Sequence, residues 1–478
     1  MKNSEKYRNV LQRSLFEIDE CGNDSQRVEG MDVNHSGSAW VREEWLSGCR
    51  EERALTEDLM REITNLSNLT ASLKRVVSNA GSAGVDNKSV KELGSWFSIN
   101  HKELIRQLET NNYRTSQIRG FKIKKPKGGY RQLGIPTVKD RMVQQAVHQV
   151  MERMYDPTFS EFSYGFRKGK GTRPCLRQAC RYVRAGYRYI VDIDLAQFFD
   201  EVNHDRLMWT LSRRIGDKTL LKLINKFLKS GILEGGMSSQ RTKGTPQGSP
   251  LSPLLSNIVL DELDKELERR GLRFVRYADD LIIFAGSQKA AQRIMRTVSR
   301  FIEDRMKLKV NRDKSGIRRP YELNFLGHNI IGKGDLGLSK PSMQRLKYKL
   351  REKTKRNRGI SLTQMVKEIN LLLRGWLNYF KAAKMKGKLE AIASWLRRRI
   401  RCFRLKQCKR AIGISRFLKK LGIPEWRSWL LAGSTKGWYH KSNTPQAHEG
   451  MNLKWFASIG LFDIHTHYCS NLMKPPST

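Results

Sequence analysis

The chain has 478 residues, 39% of them hydrophobic, and its 90 Lys and Arg outweigh 47 Asp and Glu to give a net charge of +43. This length exceeds what one hydrophobic core usually supports, so we expect two or three domains. The positive excess favours a polyanion and makes nucleic acid the first candidate partner. No run reaches the roughly 18 apolar residues of a membrane helix, and the start is too polar for a signal peptide, so we expect a cytoplasmic protein with no membrane partner.

Residues 1–52 mix charged and small residues with little periodicity, which predicts a loosely ordered extension. Apolar residues at helical spacing from Leu55 to Val77 then predict a helix that ends at the loop 79–84. Between about Phe121 and Phe325, short β-rich runs alternate with helical ones. We therefore predict a mixed α+β domain over residues 53–334.

The span from Lys340 to Lys420 holds 26 Lys and Arg and only three acidic residues. Such a run is often no more than a solvated face, but here apolar residues such as Met365, Ile369 and Leu373 recur at helical spacing between the basic ones. We predict a helical domain over 335–425 with a phosphate-binding surface. The aromatic residues that follow predict a further small unit over 426–478.

The seven cysteines include no C-x-x-C pair, so neither a disulfide framework nor a zinc ribbon is predicted. His465, His467 and Cys469 are metal-ligand types, but no second cluster completes a tetrahedral site. Reduced thiols are the preferred interpretation.

Two acidic segments lie within the predicted α+β domain. In YRYIVDIDLAQFF (187–199), strand alternation puts Asp192 and Asp194 on one face. In RFVRYADDLIIF (273–284), two apolar runs flank Asp279 and Asp280, as in a β-hairpin with an acidic tip. An isolated Asp-Asp turn is most often simply exposed. The combination, in a very basic chain, instead favours phosphoryl transfer assisted by two metal ions, and oxygen ligands point to Mg²⁺.

These segments resemble the motifs of reverse transcriptases. The run Tyr277–Asp280 (YADD) resembles their Y-x-D-D motif, and the run from Asp194 to Asp200 resembles their first catalytic motif. The run Thr245–Pro253 (TPQGSPLSP) resembles the Gln-Gly motif that packs against the incoming nucleotide. The three motifs in this order are far more specific than any one of them.

The resemblance extends to group II intron reverse transcriptases, the maturases. The runs 133–137 and 163–167 match their fingers, 325–327 the close of the palm, and 374–380 the signature of the thumb. The resemblance implies a right-hand polymerase with α+β fingers and palm, an all-helical basic thumb (the maturase domain), and a small C-terminal DNA-binding-like unit. Many members also end in a His-Asn-His endonuclease with cysteine pairs, and we expect the type without it.

The resemblance also implies roles for individual residues. Asp194, Asp279 and Asp280 would be catalytic and would hold Mg²⁺ together with the carbonyl of Leu195. The implied nucleotide-binding residues are Lys125, Arg131, Arg119, Arg167, Phe199, Gln247 and Gly248. Tyr277 and Ala278 would form the primer-facing hairpin, and the implied RNA-binding residues are Arg374, Trp376, Arg397, Arg398 and Arg399.

Phe199 stands where the family places an aromatic ring against the sugar 2′ position, so it would select dNTPs. The alternative is that Phe199 is a core residue and Phe198 faces the site. Two departures from the family pattern, Ala196-Gln197 and Lys168-Gly169-Lys170, put fine substrate contacts in question but not the metal ligands.

The expected function is RNA-directed DNA synthesis, joined to splicing and mobility of a host group II intron. The expected partners are that intron RNA, an RNA template with a DNA primer, and target DNA, so we expect a bacterial protein that associates with the nucleoid when it is on DNA. One alternative is a domesticated relative acting in DNA repair or phage defence. An alternative of another class is a splicing factor without enzymatic activity.

Overall fold

The computed structural model describes residues 58–124, 128–234, 237–239 and 241–472. The chain divides into two compact units. Unit 1 combines the residues up to Ala179 with Tyr189–Ile317, and unit 2 combines Cys180–Arg188 with the residues from Arg318 onward. The predicted extension 1–52 lies outside the described residues. The boundaries expected at 334 and 425 remain predictions.

Helices supply most of unit 1. They are Leu59–Thr64, Leu66–Ser78, Val90–Glu109, Val138–Tyr155, Thr172–Arg184 (which runs on into unit 2), Phe198–Glu201, His204–Ser212, Lys218–Lys229, Ser252–Arg269 and Gln288–Arg300. The single helix expected up to Val77 is interrupted at Asn65, whose side chain accepts a hydrogen bond from the amide of Ser67 at 2.9 Å. Asn65 therefore caps a new helix, because a side-chain oxygen there satisfies an otherwise unpaired N–H.

The strands of both units are short. In chain order they are β1 (Ile118–Lys124), β2 (Tyr130–Ile135), β3 (Tyr189–Asp194), β4 (Ile232–Glu234), β5 (Met237–Ser239), β6 (Arg273–Tyr277), β7 (Asp280–Ala285), β8 (Gly316–Arg318), β9 (His328–Ile331) and β10 (Asp335–Leu338). They form two four-stranded sheets, with orders β2-β1-β4-β5 and β6-β7-β3-β8, and the two-stranded hairpin β9-β10.

The sheet β6-β7-β3-β8 forms the centre of unit 1. Its β3 pairs antiparallel with β7, and β7 with β6. Ile193, Leu281 and Ile283 are at most 2% exposed, and they share one hydrophobic cluster with Ala291 of the helix Gln288–Arg300. Burial of these apolar residues fixes the register, since a slip of one residue would turn every side chain to the opposite face.

Unit 2 starts with the hairpin β9-β10 and continues as helices. They are Lys340–Lys353, Leu362–Phe380, Lys386–Gln407, Ala411–Lys420, Glu425–Ala432, Trp438–Lys441, Pro445–Gly450, Leu453–Ser458 and Ile464–Leu472. Ser339 and Ser361 cap the first two of these helices by accepting amide hydrogen bonds. The expected run of basic helices between Lys340 and Lys420 is thus confirmed.

Gly334, in the turn of the β9-β10 hairpin, has φ +101°. A Cβ atom at this position would lie 3.0 Å from the carbonyl oxygen of Cys180. Glycine is therefore needed both for the left-handed backbone and for the close approach. The segment Cys180–Arg188 is in this way built into unit 2.

The residues after 426 share their cores with the helices before them. Phe456, Phe462 and Tyr468 belong to the hydrophobic cluster of the helices Leu362–Phe380 and Lys386–Gln407. The hydroxyl of Tyr468 donates to the carbonyl of Ala383 at 2.7 Å. These three residues therefore pack into the core of the two helices, whereas Leu431, Ala447 and Met451 form a second hydrophobic cluster with Ile414 and Leu418. Within the described ranges, none of the helices combines the length and the apolar character that crossing a bilayer requires.

Candidate active site

The acidic tip predicted from the sequence is a tight hairpin. Only Ala278 and Asp279 lie between β6 and β7, and Ala278 has φ +56°. Hairpin turns of two residues favour positive φ because this geometry matches the twist of the flanking strands. Gly165 approaches so closely that a Cβ on it would lie 2.2 Å from the amide nitrogen of Ala278. The turn is thus held by the two flanking strands and by the close approach of Gly165.

The register of the sheet brings two of the predicted carboxylates together. Asp194, the last residue of β3, pairs directly with Asp280, the first residue of β7, while Asp192 pairs with Ile282. Residues directly opposite each other in an antiparallel pair have Cβ atoms about 4.5–5.5 Å apart, and like charges there repel. A strand pairing with this repulsion needs a cation nearby.

The electrostatics of Asp280 reflect that crowding. Its pKa is raised to about 7, first because surrounding protein atoms remove part of its hydration, and then because of the charges of Asp279, Asp194 and Asp192. The side chain nevertheless reaches solvent at the rim of the sheet. The ammonium of Lys314 acts in the opposite direction and lowers this pKa.

Asp194 is held by the segment that follows the helix Gln288–Arg300. Lys314 Nζ lies 2.9 Å from its carboxylate, and the amide of Asn311 donates to its carbonyl at 2.8 Å. Leu195 forms an isolated antiparallel bridge with Val310 in which the amide of Ala196 and the carbonyl of Asp194 make the hydrogen bonds. The Leu195 carbonyl is therefore not used in this pairing, as a metal ligand requires.

These residues fit a hard divalent cation by the chemistry of their donors. Carboxylate and carbonyl oxygens are the ligands of Mg²⁺. Within the part of the chain that the structure describes, however, no three His, Cys, Asp or Glu side chains gather closely enough to form a complete metal site. Lys314 instead provides the positive charge at Asp194. Binding a metal there would require the Asp194 carboxylate to exchange the ammonium for the ion.

The segment after β3 departs from the strand geometry that the sequence argument used. The strand ends at Asp194, Gln197 has φ +50°, and a short helix begins at Phe198. Strand alternation therefore holds for Asp192 and Asp194 but does not extend to Phe198 and Phe199. The burial of the two rings nevertheless differs, since Phe198 is 2% exposed whereas Phe199 is half-buried. Phe199 remains the predicted sugar contact.

The predicted nucleotide loop packs on β2. The carbonyl of Gln247 accepts a hydrogen bond from the amide of Gly134 at 2.9 Å. Gly248 has φ +121°, and a Cβ on it would lie 2.6 Å from the carbonyl oxygen of Gly134. Only glycine therefore allows this loop to lie against the strand.

Arg167 does not serve the predicted nucleotide role in this structure. It is 7% exposed, and its guanidinium donates to the carboxylate of Asp156 at 2.6 Å and to the carbonyls of Ser160 and Ser163. Through these bonds the guanidinium stabilises the loop in which it lies. Sequence reasoning missed this because a buried arginine and a phosphate-binding arginine look alike in a motif.

The other predicted cationic nucleotide contacts belong to the first sheet. Arg119 is exposed on β1, and Arg131 pairs with Ile123 across β1 and β2. The side chain of Arg131 and the whole of Lys125 lie outside the described residues.

The predicted RNA-binding residues of unit 2 have different surroundings. Arg374 is exposed and lies over the ring of Phe462 at 4.5 Å, whereas Trp376 is partly buried and packs against Phe380 at the edge of the core. The three arginines at 397–399 are half-buried. Of these, Arg398 stacks on Tyr439 and Arg399 donates to Thr354 Oγ1 at 2.6 Å. Arg399 thus stabilises the C-terminal end of a helix, where a positive charge is favourable.

Two residues of the site were not predicted from the sequence. Lys314 was missed because it lies in a turn 120 residues along the chain from Asp194, and the bridge between Leu195 and Val310 brings that turn to the site. His204 was missed because nothing distinguishes a single histidine in a helix from a core residue. Its Nε2 lies 2.7 Å from the carbonyl of Gly244, three residues before Gln247. The ring thereby ties the nucleotide loop to the helix His204–Ser212.

Comparison with known families agrees with this order of elements. The reverse transcriptase (RNA-dependent DNA polymerase) domain matches residues 123–330. The maturase-specific domain of group II introns matches residues 343–422. The first match contains both acidic segments and the Gln-Gly loop, and the second contains most of the basic helices.

Three curated relatives are similar to large parts of the chain. Protein YkfC of Escherichia coli strain K12 is 29% identical over 66% of this chain and 92% of its own length. The group II intron-encoded protein LtrA of Lactococcus lactis subsp. cremoris is 30% identical over 48% of this chain and 49% of its own. The putative COX1/OXI3 intron 2 protein of Saccharomyces cerevisiae is 27% identical over 57% and 38%. The chain thus spans half or less of the last two proteins. With a reverse transcriptase domain followed by a maturase-specific domain, this chain belongs to the group II intron-encoded reverse transcriptases.

Proposed function

We propose that this chain copies RNA into cDNA by adding dNTPs to a DNA 3′ end, with Mg²⁺ as its metal cofactor. The observation that carries the proposal is the direct pairing of Asp194 with Asp280 beside the turn that presents Asp279. Strands of a sheet gain nothing from opposed carboxylates unless a cation joins them.

The chain's own residues have distinct tasks in this reaction. Asp194, Asp279 and Asp280 would hold the metal, with the carbonyl of Leu195 as a further ligand. When bound, the metal would activate the attacking hydroxyl and neutralise the triphosphate. Phe199 would exclude a 2′-hydroxyl, and the loop at Gln247 and Gly248 would border the base. Arg119, Arg131 and Lys125 would meet the triphosphate, because guanidinium and ammonium groups make charge-assisted bonds with phosphate.

The test is primer extension on an RNA template with Mg²⁺ and dNTPs. We expect Asp279→Asn to lower the rate at least about 1,000-fold, because losing one metal-ligand charge removes several kcal/mol of transition-state stabilisation. Asp304→Asn, which changes an exposed aspartate outside this cluster, is the matched control and should polymerise like the wild type. Substantial synthesis by a folded Asp279→Asn protein would refute the assignment.

We further propose that unit 2 binds the host intron RNA and thereby promotes splicing and retromobility, with target DNA as an additional partner. The support is the match to the maturase-specific domain and the exposed basic residues of its helices, such as Lys347 and Lys367. Phosphate contacts position an RNA without reading its sequence. The proposed place of this work is the bacterial cytoplasm, at the nucleoid when the protein is on DNA.

A further inference from the structure

A buried ion pair lies directly behind the hairpin that carries Asp279 and Asp280. Arg276 on β6 is 1% exposed, and Asp264 on the helix Ser252–Arg269 is 0% exposed. Arg276 Nε donates to one carboxylate oxygen of Asp264 at 2.7 Å, and Nη2 donates to the other. Both charges lose their hydration, and replacing such a pair with apolar residues is often neutral or stabilising. Stability alone therefore does not explain an arginine at this position.

The remaining N–H groups of Arg276 are all used. Nη1 donates to the carbonyl of Ala278 at 2.9 Å and to Asn257 Oδ1 at 3.0 Å, and Nη2 donates to Ser163 Oγ at 2.8 Å. A guanidinium has five N–H groups in a fixed planar arrangement. Here each of them meets one acceptor, so the side chain can take only this position. A lysine, with a single nitrogen, cannot reach the same acceptors.

The bond to Ala278 is the one that concerns the reaction. Its carbonyl belongs to the peptide group that joins Ala278 to Asp279, and a peptide group is rigid and planar. Fixing this oxygen therefore fixes the direction in which the chain enters Asp279. It also holds a non-glycine residue at φ +56°, a conformation that such residues adopt only at a cost.

The helix Ser252–Arg269 connects this cluster to the nucleotide loop. Asn257 and Asp264, two turns apart on one face, both bond Arg276, and Asn257 Nδ2 also donates to the carbonyl of Gly165 at 2.9 Å. At the start of the same helix, Ser252 Oγ donates to the carbonyl of Pro246 at 2.7 Å. One rigid helix thus holds both the acidic hairpin and the residue before Gln247.

We propose that Arg276 is a positioning residue that, through the Ala278 carbonyl and the helix Ser252–Arg269, holds Asp279 at a fixed place relative to the Gln247 loop. This inference rests on the proposed polymerase function. Replacement of the Arg276 side chain should reduce kcat and weaken the binding of a divalent ion. The KM for the primed template should stay unchanged, because Arg276 is 1% exposed and offers nucleic acid no surface to bind.

The test uses the double variant Arg276→Met with Asp264→Leu. It removes both charges together, so no unpaired charge stays buried, and it deletes the bond to the Ala278 carbonyl. We expect a folded protein whose kcat in primer extension is about 10- to 100-fold below that of the wild type, as for a misplaced catalytic group. Mn²⁺ binding to the full chain without nucleic acid, followed by electron paramagnetic resonance, should be weakened as well.

Leu220→Ala is the matched control, because Leu220 is a fully buried residue of the helix Lys218–Lys229 and takes no part in the hydrogen bonds of Arg276. It should lower Tm and leave the kcat of the folded fraction unchanged. Arg276→Lys is the second variant, and it should show the same loss of kcat. It carries the test if the double variant does not fold.

Two outcomes separate this inference from the proposed function. A wild-type protein that cannot extend a primer on RNA would refute the function. An active wild type whose double variant and Arg276→Lys variant both keep the wild-type kcat and Mn²⁺ affinity would refute only the positioning role.

Discussion

Phe199 is the side chain predicted to set the choice between deoxyribonucleotides and ribonucleotides. Its ring is half-buried beside the catalytic strand, while its carbonyl accepts a hydrogen bond from the amide of Thr245 at 2.6 Å. The backbone of the predicted gate is therefore tied to the loop that carries Gln247. A change in the ring alone should leave this backbone in place.

We expect Phe199→Val to admit ribonucleotides, because the smaller side chain leaves room for a 2′-hydroxyl. The measurement is the ratio of kcat/KM for a dNTP to that for the matching rNTP, which should fall at least about tenfold. Phe198→Val is the control, since Phe198 is a core residue and its loss should lower Tm without changing the ratio. An unchanged ratio in the Phe199 variant would remove this residue as the gate.

His328 allows a prediction about pH. It is 2% exposed, its Nδ1 lies 3.0 Å from the carbonyl of Leu326, and burial lowers its pKa from 6.5 to about 4. The unfolded chain therefore binds a proton at a higher pH than the folded chain does. The stability linked to neutral His328 is complete above pH 6.5 and is lost as the pH falls towards 4.

We expect the free energy of unfolding to fall by about 3 kcal/mol between pH 6.5 and 4 through this residue, at about 1.4 kcal/mol for each pH unit. His328→Gln cannot take up the proton and should have a shallower dependence. Parallel curves for the two proteins in urea unfolding across this range would contradict the prediction.

At the residue scale, the sequence singled out the three aspartates as predicted metal ligands because they stand in two motifs with distinct patterns. It could not identify Lys314, Arg276 or His204, because their roles depend on which distant strands and loops pair. It also assigned Arg167 to the nucleotide, whereas the structure uses that guanidinium to fix a loop. A motif records that a residue type is needed but not the interaction for which it is needed.

At the scale of elements, the helix Lys340–Lys353 is the clearest basic surface of unit 2. Its residues Arg345 and Lys347 are exposed. In contrast, Arg398 stacks on the ring of Tyr439, and Arg399 donates a hydrogen bond to Thr354. Within the predicted phosphate-binding span, Arg345 and Lys347 are therefore better placed to meet a phosphate than Arg398 and Arg399. Charge counts along the sequence could not show this, because they do not separate exposed arginines from those that cap a helix or stack on a ring.

We expect Arg345→Glu with Lys347→Glu to reduce the salt dependence of RNA binding. Each phosphate that the protein no longer neutralises should lower the log–log slope by roughly 0.7–0.9. Because both side chains are exposed, Tm should stay the same, whereas Arg399→Ala should lower Tm by removing a helix cap. The measurement is RNA affinity at several salt concentrations, with Arg345→Gln and Lys347→Gln as the neutral comparison. A slope that does not change would mean that this face is only solvated.

The element pattern itself was largely predictable. Alternating short strands and helices, then basic helices, followed from hydrophobic periodicity and charge. The break at Asn65, the end of β3 at Asp194 and the shared cores of the C-terminal residues did not follow. Each depends on a cap, a left-handed residue or a distant packing partner.

At the scale of the whole molecule, the acidic and basic surfaces belong to different units. The three aspartates lie in unit 1, and the exposed basic helices of the maturase-specific domain lie in unit 2. Metal ligands serve nucleotide chemistry, whereas RNA folding needs phosphate contacts. The two proposed activities should therefore respond to different substitutions.

We expect Asp279→Asn to stop cDNA synthesis while it still supports splicing of the cognate intron. The measurement is a splicing assay of this variant beside the wild type at equal, near-physiological Mg²⁺. The Arg345 and Lys347 double reversal should impair splicing, because it removes exposed positive charges that phosphate contacts need. Equal loss of splicing and polymerisation in folded Asp279→Asn would show that the two activities cannot be separated.

The order of the chain through the two units has a consequence for how this protein can be divided. Cys180–Arg188 belongs to unit 2, yet the catalytic strand starts at the next residue, Tyr189. During synthesis, this segment cannot form its contacts within unit 2 until residues more than a hundred positions later have been made. A gene fragment that stops at Ile317 would lack Gly334, which lies close against the carbonyl of Cys180. Unit 1 therefore cannot be transferred by recombination or cloning as one continuous gene fragment.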